Sequence, residues 1–169
     1  DTGDNDAKRD HCTLYVLREP ASPAPGGTIK GNAAIEWMIR FRYEGGPRDC
    51  ESVAVDVPRK KVLLLSKRTH PPELHELPLE APEKRGFLTT KRICNANVSA
   101  PADSLIPFRD QPTGMDITAD NSLAAVVTYY GVFLFSRKPE DSWGEAFSNK
   151  PVILDPHGLA QAESIAFAK

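Results

Sequence analysis

Cysteine is scarce in this chain: three residues in 169, Cys12, Cys50 and Cys94, far apart and with no CxxC pair. That spacing excludes a zinc-finger pattern and allows at most one internal disulfide. Three buried thiols and one disulfide plus a free thiol both stay open. Long hydrophobic runs are missing as well. The longest, Val62 to Leu65 and Leu123 to Val127, are strand-sized, against the roughly 20 residues of a membrane-spanning helix. There is no surplus of positive charge, with 21 lysines and arginines against 23 aspartates and glutamates. A nucleic-acid binder normally shows a basic face, so that class is set aside. No nucleophile elbow, HExxH pair or phosphate-cradling glycine loop occurs. The chain opens at Asp1 rather than methionine, so a cleaved leader is expected to be already gone.

Proline and glycine are plentiful, 15 and 11 residues, and they cut the chain into short segments. Most of these segments have strand character. Ser52 to Val55 and Lys61 to Ser66 flank a polar turn, which predicts a hairpin. Glu73 to Leu79 alternates at period two, as a half-buried strand does. Gly86 to Cys94 supplies a weaker fourth strand. The pattern then recurs. Met115 to Ala119 matches Glu51 to Val55, Leu123 to Thr128 matches the Lys61 strand, Val132 to Phe135 the third and Pro151 to Leu154 the fourth. A further copy opens at Glu163-Ser164-Ile165-Ala166-Phe167. Upstream, Thr13 to Leu17 and Ile35 to Tyr43 fit a third and a fourth strand.

A four-stranded antiparallel unit repeated along the chain is the signature of β-propeller blades. The expected fold is all-β, an incomplete propeller. Its divisions are 1–44, the end of one blade; 45–111 and 112–158, two whole blades; and 159–169, an inner strand. A ring needs at least four blades. The remaining blades are therefore expected from a longer chain or from other protein subunits, with no nucleic acid and no membrane span.

Asp1-Thr2-Gly3-Asp4-Asn5, Glu51 to Asp56, Leu65-Ser66-Lys67-Arg68, Pro112 to Asp116 and Gln161 to Ile165 follow one another in order. In this order they resemble exported bacterial propellers that carry a GDN motif. Those are similar at a distance to the propeller phytases, the phytase-esterase-like proteins and the SdiA-regulated propellers. The resemblance implies an extracytoplasmic (periplasmic or secreted) protein, and inner-strand acids that help to hold calcium. Met115, in place of a glutamate, breaks such a ring of carboxylates.

In a meander blade the inner strand begins at the end of the sheet where the second strand finishes. Asp1, Asp4, Glu51 and Glu163 are thus expected to share one face, where carboxylates suit a cation such as calcium. Lys67, Arg68, Asp116 and Tyr129 are the candidate ligand-binding residues, the two cations suiting an anionic group. Plainer roles compete. Asp4 and Asn5 are ordinary turn residues, the two glutamates can fix blade packing, and Lys67 or Arg68 can pair with Glu51. His70 and His75 are expected at the surface. Trp37 and Trp143 are expected to pack outer strands, and Asp56 and Asp120 to serve hairpin turns. Two functions follow: a ligand- or protein-binding scaffold, alone or as a subunit of a larger assembly, or a calcium-dependent phosphoester or ester hydrolase.

Overall fold

The computed structural model describes residues 1–21, 23–81, 86–102 and 105–168. It is nearly all β. The strands are β1 (Cys12–Leu17), β2 (Ile35–Arg42), β3 (Cys50–Asp56), β4 (Lys61–Ser66), β5 (Glu73–Pro78), β6 (Leu88–Thr89), β7 (Lys91–Asn95), β8 (Pro112–Ile117), β9 (Leu123–Thr128), β10 (Val132–Ser136) and β11 (Val152–Ile153). One short helix, α1 (Trp143–Ser148), lies between β10 and β11. No helix among the described residues is long and apolar enough to cross a membrane.

Two of the sheets have four strands, ordered β3-β4-β5-β7 and β8-β9-β10-β11, and each is antiparallel throughout. The first sheet is β1-β2-β6. Its third strand is parallel to β2, pairing Phe41 with Leu88 and Arg42 with Thr89. The expected strand from Gly86 to Cys94 is therefore two strands in different sheets. Leu88–Thr89 extends the first sheet and Lys91–Asn95 closes the second.

The alternation of side chains along β4 explains its unbroken apolar run. Val62 and Leu64 point into a core with Cys12, Ile39 and Phe41 of the first sheet. Leu63 and Leu65 point into another with Met115, Ile117, Ala124 and Val126 of the third. A strand buried on both faces needs apolar residues at every position. All four are at most 2% exposed, and each fully buried leucine contributes about 1.5–3 kcal/mol. In β3, Val55 is 42% exposed, because this strand edges the sheet while β4 lies inside it.

Both hairpins carry a bulge at the same place. Cys50 faces Ser66 and Ser52 faces Leu65, which leaves Glu51 as the extra residue. Likewise Pro112 faces Thr128 and Gly114 faces Val127, which leaves Thr113. The structural counterpart of Glu51 is thus Thr113, two residues before the expected Met115. Met115 instead packs in the core between the second and third sheets.

The connection between third and fourth strands reaches back to the preceding sheet in both repeats. One such connection carries β6, and Thr90 N donates to Arg42 O at 2.9 Å. The other carries α1, which packs on β7, and Asn97 N donates to Phe147 O at 2.8 Å. Ser142 caps α1 in a capping box with Glu145. Trp143 is buried, and its Nε1 donates to Asp56 Oδ2 at 2.8 Å. Asp56 is fully buried and also accepts from Arg59 N at 3.0 Å. We expect Trp143→Phe to cost about 2 kcal/mol, the scale of a hydrogen bond to a buried charge, in urea unfolding. Unchanged stability would show that this bond does not tie α1 to the second sheet.

Candidate functional site

The bulge at Glu51 sets the centre of the site. A bulge re-aims the extra side chain and ends regular pairing. The Glu51 carboxylate meets Lys67 Nζ at 2.6 Å, and the same ammonium donates to Tyr129 OH at 3.2 Å. Lys67 directly follows β4, as Tyr129 follows β9. One lysine therefore spans two neighbouring sheets. It is only 5% exposed. Burial alone would lower its pKa, but the Glu51 carboxylate and the Tyr129 hydroxyl outweigh it and hold the pKa above the usual lysine value. It stays a charged ammonium rather than a nucleophilic amine.

Asp49 is the second hub. Its Oδ2 accepts from Arg68 Nε at 2.8 Å and its Oδ1 from Asp4 N at 2.8 Å. Its backbone carbonyl accepts from Lys67 N at 2.9 Å. Arg68 reaches on to Asn5 Oδ1 at 2.8 Å. Within the loop, Asp4 Oδ2 accepts from Arg9 N at 2.7 Å, and Asp1 pairs with the Arg9 guanidinium. These contacts bring Asp1, Asp4, Glu51, Lys67, Arg68 and Tyr129 to one end of the sheets. Asp49 and Arg9 were missed from sequence. The Arg48-Asp49 pair just before an inner strand was the available signal.

The other two candidates sit differently. The backbone of Glu163 lies beside Gly114, where a Cβ would stand 3.0 Å from Ser164 Cα and 3.3 Å from Glu163 O. Any larger residue would push the two segments apart by a few tenths of an ångström. The segment is held by Thr113 Oγ1 donating to Ala162 O at 2.5 Å. Asp116 lies further along β8, opposite Ala125, and its carboxylate accepts from Phe167 N at 2.8 Å. It borders a cavity with Val57 and Pro58 of the opposite turn, apart from Lys67 and Tyr129.

An open cleft of about 530 Å³ runs past Asp4, Asn5, Asp49 and Glu51. A calcium site needs six to eight oxygen ligands. Among the described residues no three acidic, histidine or cysteine side chains are grouped to hold a metal. Asp1, Asp4, Asp49 and Glu51 already face Arg9, Arg68, Lys67 or backbone amides. Calcium here would have to displace some of these contacts.

Under the site, His75 is fully buried rather than at the surface. Its Nδ1 lies 3.0 Å from Thr90 Oγ1 and its Nε2 lies 3.4 Å from Glu73 Oε2. Hydroxyl, imidazole and carboxylate stand in the order of a hydrolytic triad. Yet Thr90 is 2% exposed and its oxygen also accepts from Glu44 N at 3.1 Å. Glu73 is held by Arg48 at 2.7 Å and Arg92 at 3.1 Å. Substrate has no access, so the network fastens the first sheet to the second. All three cysteines are free, with Cys12 and Cys50 buried. Burial pushes the Cys50 thiol up to about 12, which leaves it unreactive.

Burial lowers the His75 pKa, the largest influence on it. The folded chain therefore binds fewer protons than the unfolded chain between the folded value and the ordinary histidine value. Stability should fall as pH drops below about 6.5, the unfolded histidine pKa, and level off below the folded value. Urea midpoints at pH 7.5 and 5.5 should separate for the native chain and converge in His75→Gln. An equal separation in both would place the effect elsewhere. Comparison with family models, with curated proteins and with solved structures finds no match to this chain.

Proposed function

We propose that the chain is a run of propeller-type blades in an extracytoplasmic binding scaffold. Its partner-facing surface is the end of the sheets where β4 and β9 finish. The observation that carries this reading is the repeated junction. Two four-stranded meanders bear the same bulge, and the inner strands β3 and β8 pack side by side. The Lys67 ammonium joins one sheet's end to the next. This end offers Arg68 and Tyr129 as contact groups for a ligand or a protein, with Lys67 beneath them holding Glu51 and Tyr129 in place. Further blades of a longer chain, or other subunits, are its partners in the same reading.

A hydrolase is the second reading, favoured by the acidic lining of the cleft at Asp4, Asp6, Asp49 and Glu51. It asks for calcium as Lewis acid and for a water held near it. The two readings separate in one experiment. The native chain, Glu51→Gln and Glu163→Gln are titrated calorimetrically with calcium chloride and assayed on p-nitrophenyl phosphate and p-nitrophenyl acetate. The scaffold reading expects no calcium-dependent turnover and the same calcium heats in all three. Turnover that needs calcium and disappears in Glu51→Gln would replace it with the hydrolase.

A further inference from the structure

A second cleft, of about 630 Å³, opens between β7 and α1, bordered also by β4, β5 and the turn after β3. Its size is that of a small-molecule site. It is made by the connection that reaches back from the third sheet to the second. The two walls differ in chemistry. The strand wall carries Arg59, Lys61, Lys91 and Arg92. The helix wall carries Ser148 and Asn149.

The acids in the lining are Asp56, Glu76 and Glu145, and each is engaged. Asp56 is buried against Arg59 and Trp143. Glu76 pairs with Lys61 at 3.4 Å. Glu145 closes the capping box with Ser142. On the opposite side Arg92 pairs with Glu73 at 3.1 Å. Lys91 differs from the other three cations: it is exposed and makes no side-chain hydrogen bond or ion pair among the described residues. The Asn149 carboxamide has no partner among them either. One uncommitted ammonium and one uncommitted carboxamide therefore border the same cleft, together with the Ser148 hydroxyl, which donates to Gly144 O at 2.7 Å and keeps its oxygen as an acceptor.

We propose that this cleft binds a small oxyanion-bearing polar ligand, of the size and kind of a sugar acid or sugar phosphate. Lys91 meets the oxyanion, and Lys61 and Arg59 add to the field from the same wall. The helix wall, with Ser148 and Asn149, hydrogen-bonds the hydroxylated body. A neutral sugar lacks the anion and gains little from the strand wall. This site is separate from the Glu51–Lys67 surface and does not depend on the scaffold reading.

The test is an NMR titration of the isotopically labelled 169-residue chain at matched ionic strength, with glucuronate, glucose 6-phosphate and glucose as probes. Saturable amide shifts are expected at Lys91, Ile93 and Ser148 with at least one of the two anions, and none with glucose. The tighter anion assigns the carboxylate or the phosphate as the natural group. Lys91→Gln should weaken binding at least fivefold, while Lys91→Arg retains it. Lys91 is exposed, so both variants should keep the native spectrum, and Lys61→Gln serves as a second, weaker reporter. Absence of saturable shifts with both anions would overturn the site. So would equal affinity in Lys91→Gln, or equal binding of glucose.

Discussion

Burial of β4 on both faces is the constraint from which the rest of the structure follows. Val62 and Leu64 belong to one core and Leu63 and Leu65 to the other. A strand with no polar face cannot border solvent, so the second sheet must lie between two others. This forces the sheets to stack face to face. It also brings the starts of β3 and β8 together at one end, where Lys67 can reach both Glu51 and Tyr129. The charged end of the sheets is thus a product of the core beneath it.

Stacked sheets need something to fix their spacing at the outer edge. Here the connections between third and fourth strands do it in two ways. The first lends two residues to the preceding sheet as β6. The second folds into α1, where Phe135 and Phe147 stack with ring centroids 4.4 Å apart and Trp143 reaches Asp56. Polar anchors accompany both: the Glu73–His75–Thr90 network at the first junction and the buried Asp56 at the second. Buried charges of this kind cost desolvation. They persist when every oxygen and nitrogen finds a partner, as the pairing of Glu73 with Arg48 and Arg92 illustrates.

Much of the strand order was legible in the sequence, because alternation and turn residues depend on local chemistry. The Ser52–Ser66 hairpin and the Glu73 strand are cases. The repeat was visible but misregistered by two residues, because Asp120 was matched to Asp56. The two aspartates do different work. Asp56 ends a strand inside the protein and holds Trp143. Asp120 is exposed and bonds Thr118 and Ser122 of its own turn. Residue type in a turn does not reveal which. Helix α1 was missed although Ser142 and Glu145 stand at capping-box spacing. His75 was misplaced because Thr90, which bonds its Nδ1, and Tyr43, whose ring packs edge-on against it, meet it only when sheets stack. Of the site, the carboxylates and the Lys-Arg pair were visible. Their mutual neutralisation through Asp49 and Arg9 was not, since it depends on loops converging in space.

The claim most exposed to test is that β4 lies at the heart of the molecule. Native-state hydrogen exchange measures this residue by residue, since protection follows the opening of hydrogen-bonded, buried structure. The amides of Val62 to Leu65 should be among the slowest in the chain and exchange only with global unfolding. Those of β1 and β11 should exchange far sooner. Exchange of Val62 to Leu65 at the rate of β1 would contradict a second sheet enclosed by the first and third.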